Sequence, residues 1–176
     1  MSIESERDLI GLKRAGDVVT LDVTPELDGY VADGEVTVVM PLASQEHRRL
    51  CQCAQQALSA ALKVARAGRP INVIGKAVER VVKGWGFSVV AELSGHGIGR
   101  VIHEPPNVLN FYHRRDTELL AEGLVITIEP ITCTGSGKIY EDRDGWTMRT
   151  EDGSTAAHFE HTLVITRGVP LLLTAA

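Results

Sequence analysis

The chain is poor in aromatic residues, which make up 5% of its 176 positions, and it has only three cysteines. A core without many rings must be built from Val, Leu, Ile and Ala, which favours a protein of mixed helices and strands. Cys51, Cys53 and Cys133 are an odd number, and two residues apart on a helix Cys51 and Cys53 point to different faces, so neither a disulfide framework nor joint chelation is expected. No apolar run approaches the roughly 20 residues of a membrane span, and residues 1–8 are too polar for a secretory leader. The expectation is a cytoplasmic protein without a membrane partner. Basic residues are outnumbered, 18 against 23 acidic, for a formal net charge of −5. That balance disfavours a reader of nucleic acid, which must neutralise phosphates over a broad face, and Arg114-Arg115 reads as a solvated loop.

What is present is the composition of an ordinary globular domain, 44% hydrophobic and 23% charged. Disordered, collagenous and low-complexity readings are excluded, and neither a repeat nor a linker divides residues 1–176, so one domain is expected. Residues 17–24 alternate, with Val19, Leu21 and Val23 on one face and Val18, Thr20, Asp22 and Thr24 on the other, as in a half-buried strand. The turn chemistry of residues 25–29 and a second β-rich stretch at 30–40 predict a hairpin over 17–40. Ser44 is the expected N-cap of a helix to about Ala67, stopped by Gly68 and Pro70, and a second helix fits residues 72–83. Strands are expected at 87–91, 100–103, 124–129 and 158–166, with a short hairpin around residues 135–137.

Five side chains occupy strand faces or tight loops where a solvated charge is out of place: Asp22, Asp33, His96, Glu129 and Glu160. With Asp28-Gly29 as the central turn residues, Thr24 faces Asp33 and Asp22 lies diagonal to it on the same face, close enough for both carboxylates to converge on one ion. Glu129 ends an apolar strand, and Glu160 lies in another, sharing a face with His158 and Thr162. A carboxylate in such a place needs a metal, a hydrogen-bond donor or an Arg or Lys partner. His96 sits between Gly95 and Gly97, where missing side chains permit close backbone approach, and His103 follows. The Gly95-x-Gly97-x-Gly99 run precedes Val101-Ile102 and a double proline rather than a helix, so it is not a dinucleotide fingerprint.

These segments closely resemble the methionine aminopeptidases, dinuclear metallopeptidases of the pita-bread (creatinase/aminopeptidase) fold. The likeness rests on Leu21-Asp22-Val23-Thr24, Asp28-Gly29-Tyr30-Val31-Ala32-Asp33, Ser94 through Arg100 with His103-Glu104-Pro105, Thr127-Ile128-Glu129-Pro130, Asp144-Gly145-Trp146-Thr147 and Phe159-Glu160-His161-Thr162. It implies an α+β fold, a curved antiparallel sheet with helices on its outer face. The family's catalytic domain begins upstream of the hairpin, so a truncated version, lacking that segment, is expected here. The resemblance also implies two divalent ions, Mn, Fe, Co or Zn, held by Asp22, Asp33, His96, Glu129 and Glu160. Asp33 and Glu160 would bridge them, Glu129 would take a proton from the attacking water, and His103 would contact the scissile amide. Ile102, His103 and Trp146 fall at substrate-binding positions. Ile102, Gly34 and His158 depart from the residues the bacterial type often carries, Phe, Thr and Gln.

The expected activity is release of an N-terminal methionine, or another small first residue, from a peptide or nascent chain. The competing reading is a non-catalytic relative that binds metal or peptide as an interaction scaffold. A proline-specific dipeptidase of the same fold is a third. Loss of the upstream segment should also bare a sheet edge, for which a homodimer is the expected cover.

Overall fold

The computed structural model describes residues 14–175; the polar residues 1–8 and the start of the family likeness at Leu12 lie outside them. The described residues begin with strand β1 (Val18–Val23), a tight hairpin of β2 (Glu26–Leu27) and β3 (Tyr30–Val31), and β4 (Gly34–Val39). Asp28 and Gly29 both have positive φ, 53° and 76°, the geometry of a two-residue turn whose twist matches its flanking strands. This turn sets one register throughout, pairing Leu27 with Tyr30, Val23 with Gly34 and Asp22 with Glu35.

The alternation predicts a half-buried hairpin without assigning the covered face. Its apolar face is open, with Leu21, Val23, Val36 and Val38 between 43% and 60% exposed. On the opposite face Asp33 and Thr37 are buried and Glu35 half-buried, while Asp22 stays exposed. Alternation defines two faces of a strand, but it does not say which one the fold covers.

Helix α1 (Gln45–Val64) begins at Ser44, whose hydroxyl accepts from the His47 backbone N–H at 3.0 Å. Helix α2 (Asn72–Trp85) ends at Gly86 in the left-handed conformation, two residues beyond the expected stop. Ala54, Ala57 and Ala61 are fully buried on α1, so that helix lies close against its neighbours. Cys51 and Cys53 do diverge on α1, but both are buried because the helix is covered by α2 on one side and by strands on another. All three cysteines are free.

The remaining strands are β5 (Ser88–Val89), β6 (Gly95–Gly97), β7 (Glu104–Val108), β8 (Val125–Ile128), β9 (Ile131–Cys133), β10 (Ile139–Glu141), β11 (Met148–Thr150), β12 (Ala156–His158), β13 (His161–Val164) and β14 (Leu171–Leu172). A five-stranded antiparallel sheet in the order β14-β13-β8-β6-β7 forms the centre, and β12-β9-β5 form a second sheet. A bridge between Val36 and Phe159 ties the first hairpin to both. Ile126, Ile128, Leu163 and Ile165 are fully buried in one cluster with the helices, each contributing roughly 1.5–3 kcal/mol. Thr127 and Thr162 alternate with them and face the other way.

Three local expectations are corrected. Residues 100–103 form bends, and the strand starts only at Glu104. The stretch 158–166 is broken at Phe159 and Glu160 into β12 and β13, because the Glu160 N–H turns to the carbonyl of Glu35 (3.0 Å). The short hairpin lies at residues 139–150, turning at Asp142–Gly145 rather than around 135–137.

Candidate metal centre

Strand parity and two glycines assemble the centre. Asp22 directly faces Glu35, and Asp33, two residues before Glu35, shares its face. Thr24 donates to Asp33 Oδ1 at 2.9 Å, as the turn register requires. Gly95 and Gly97 let β6 pass close to its neighbours. A Cβ on Gly95 would stand 2.5 Å from the Thr127 carbonyl, and one on Gly97 would collide with the carbonyl of Pro105.

Two threonines fix the functional side chains. Thr127 Oγ1 accepts the His96 N–H and donates to Glu129 Oε1, both at 3.1 Å. Thr162 Oγ1 accepts the Asp33 N–H at 2.8 Å and donates to the Asp33 carbonyl at 2.7 Å. Asn110, fully buried, donates to the Glu129 carbonyl at 3.0 Å. His96 Nδ1 lies 3.0 Å from the Gly97 carbonyl, which can only accept, so Nδ1 is the donor there and Nε2 faces Glu129 Oε1 at 3.5 Å.

The five residues singled out from the sequence converge. Asp33, His96 and Glu160 offer ligand atoms within 4.8 Å of one another, and Asp22 joins Glu160 in an overlapping group. Asp33, His96 and Glu160 are 6%, 6% and 3% exposed. Sequence reasoning missed Glu35 and His158, which complete further groups with Asp22, Glu160 and Glu129. Glu35 was legible in principle, since the turn register places it opposite Asp22.

This much carboxylate in one place is electrostatically unfavourable. Burial, then repulsion from Glu129 and Asp33, pushes the Glu160 carboxyl up to about 10. Burial and the charge of Glu35 push Glu129 to about 8, and burial and Asp33 raise Asp22. Among the described residues no Arg or Lys pairs with any of them; Glu129 has His96 as its ion-pair neighbour, and Glu35 has His158. Glu160 Oε1 is buried without a hydrogen-bond partner. Oxygen donors in excess, one imidazole and an orphaned carboxylate oxygen fit divalent cations of the Mn-to-Zn series.

Beside His96 opens a cleft of about 410 Å³ lined by Ser94, His103, Glu104, Pro105 and Asn107. The His103 ring meets His96 edge-on with centroids 4.4 Å apart. Ile102 is half-buried in the preceding bend and does not line this cleft. Trp146, at the turn of the β10–β11 hairpin, is 88% exposed and also stands outside it.

Residues 4–167 match metallopeptidase family M24. Methionine aminopeptidase 2 of Bacillus subtilis is 41% identical over 162 residues, 92% of this chain and 65% of the relative. Methionine aminopeptidase of Escherichia coli is 39% identical over 155 residues, 88% of this chain and 59% of the relative. The chain therefore spans less than two thirds of the length of these relatives. In the solved structures, methionine aminopeptidase from Thermotoga maritima superposes with a TM-score of 0.89 at 31% identity, covering 93% of this chain and 66% of that one. A prolidase from Pyrococcus furiosus gives 0.72 at 26%, covering 92% and 42%. With its pita-bread architecture and a match over nearly its whole length, the chain belongs to metallopeptidase family M24.

Proposed function

We propose that this chain is a metal-dependent aminopeptidase that removes an N-terminal methionine, or another small first residue, from a peptide or nascent chain. Two divalent ions would be held by Asp22, Asp33, His96, Glu129 and Glu160. The observation that carries this reading is the convergence of acidic side chains, Asp33 and Glu160 among them buried, on the His96 imidazole, with no Lys or Arg pairing with them among the described residues. The methionine aminopeptidases among the relatives support the substrate class.

Such ions, when bound, polarise a carbonyl and lower the pKa of water. The chain's own residues supply the rest. Glu129, oriented by the Thr127 hydroxyl, would take up the proton of the attacking water at a carboxylate oxygen once bound cations keep it ionised. His103, against His96 in the cleft wall, hydrogen-bonds the scissile amide as charge develops. The acidic cluster favours a peptide's amino terminus over an internal segment, which confines cleavage to the first residue.

Incubating the purified chain with Mn²⁺ or Co²⁺ and a Met-Ala peptide tests this. Methionine is released, and His96→Ala and Glu129→Ala abolish release. No release by a metal-loaded chain favours the second reading, a non-catalytic scaffold. The open apolar face of Leu21, Val23, Val36 and Val38 favours a binding surface there. A homodimer covering that face is the occupant we propose, checked by sedimentation of wild type against Val23→Lys; a monomer in both sinks it.

A further inference from the structure

We propose that Glu35 and His158 form, together with Glu129, a third divalent-cation position adjoining the pair. This inference rests on the two-ion reading of the centre. Glu35 is not one of the five residues assigned to the pair, yet the ladder places it directly opposite Asp22, and its own carbonyl accepts the Glu160 N–H at 3.0 Å. Its side chain is 9% exposed.

The carboxylate reaches two groups at once. On one side it meets Asp22 and Glu160, and on the other Glu129 and His158, each set with ligand atoms within 4.8 Å. Glu35 Oε2 lies at ion-pair distance, 2.6 Å, from His158 Nδ1 but without the alignment of a hydrogen bond, so it is buried with no hydrogen-bond partner. His158 Nε2 is likewise buried with no partner. The His158 backbone is clamped, its N–H donating to Thr37 Oγ1 at 2.8 Å and its carbonyl accepting from the same hydroxyl at 2.6 Å. A backbone held this firmly, with a buried imidazole nitrogen and a buried Glu35 oxygen both lacking hydrogen-bond partners, makes a built site rather than a solvated cluster.

Charge points the same way. With Glu35 counted, five carboxylates converge, one negative charge more than two divalent ions neutralise, and among the described residues no Lys or Arg pairs with Glu35. Two carboxylate oxygens and an imidazole suit Mn²⁺, Fe²⁺, Co²⁺ or Zn²⁺ better than Mg²⁺ or Ca²⁺.

Equilibrium dialysis against Mn²⁺ followed by elemental analysis tests this on the wild-type chain, Glu35→Gln and His158→Gln. Three ions per chain are expected in wild type. Two are expected in each variant, with affinity for the third lowered roughly tenfold or more and the far-UV dichroism unchanged. Two ions in wild type, or three in both variants, overturn the proposal while leaving the pair intact. Loss of every ion from a variant with native dichroism also overturns it, because Glu35 or His158 would then belong to the pair. A wild-type chain that binds no ion refutes the two-ion centre itself, and this inference with it.

Discussion

Thr127 and Thr162 stand directly opposite each other on the β8–β13 ladder, and each hydroxyl holds a residue from a different part of the chain. Thr127 serves His96 and Glu129, whereas Thr162 grips both backbone groups of Asp33. The pair joins the glycine-rich strand to the first hairpin through side chains that are not among the proposed ligands. Thr127→Val keeps the shape but leaves a buried N–H and a carboxylate oxygen without their partner. A stability loss of about 1–3 kcal/mol is expected, with metal affinity lowered roughly 10–100-fold. Thr127→Ser, which retains the hydroxyl, should restore most of both. Thermal melts and metal titration of the two variants check this, and equal behaviour of Val and Ser would remove the hydroxyl from the argument.

Metal removal follows from the same cluster. Without cations the converging carboxylates repel one another, so ions bind the folded chain far better than the unfolded one. At free metal near 100 times the dissociation constant, about 2.7 kcal/mol of stabilisation is expected. For a chain of this size that raises the melting temperature by roughly 5–10 °C, and EDTA reverses it. Glu160→Gln should abolish the metal-induced rise while moving the metal-free melt little, since burial and repulsion already favour the protonated carboxyl there. A melt indifferent to both metal and chelator would contradict the centre.

Much of this site was legible because a two-residue turn fixes parity. Asp28-Gly29 placed Thr24 opposite Asp33, and the 2.9 Å hydrogen bond between them is that register made visible. The same rule places Glu35 opposite Asp22, but one charge in an alternating strand carries no local sign of burial. Only the fold, which brings His158 and Glu160 over it, reveals that burial. Which hairpin face is covered depends on contacts more than a hundred residues away, such as Thr37 with His158, and local alternation carries no such information. Val101-Ile102 suggested a strand by composition. Glu104 instead draws the Arg100 and Val101 N–H groups onto its carboxylate, at 2.9 and 3.0 Å, and bends the chain.

The glycines offer a matched pair of outcomes. Gly97 passes so close to Pro105 that a methyl group would meet its carbonyl, whereas Gly84, exposed near the end of α2, has no neighbouring heavy atom within 4 Å of an added Cβ. Gly97→Ala is expected to cost about 1–3 kcal/mol through overpacking and to weaken metal binding by displacing His96. Gly84→Ala should stabilise by about 0.5–1 kcal/mol, since alanine loses less backbone entropy in a helix. Denaturant midpoints read both, and a neutral Gly97→Ala would show that β6 and β7 can separate without consequence.

The β10–β11 turn carries its own pH dependence, separate from the metal centre. Asp144 accepts from the Thr147 hydroxyl at 2.6 Å, the Thr147 N–H at 2.8 Å and the Trp146 N–H at 3.0 Å. The hydroxyl and the two N–H groups hold its carboxyl at about 2, below the ordinary 3.8. A depressed folded-state pKa gives an interaction fully present above the ordinary value and lost as pH falls through the lower one. The Thr147 amide resonance should therefore stay constant down to pH 4 and titrate with a midpoint near 2, reporting release of the turn that carries Trp146. Asp144→Ala should leave that resonance flat over the same range, with faster amide exchange at every pH. A midpoint at 3.8 in the wild-type chain would mean that the three donors do not hold the carboxylate in solution.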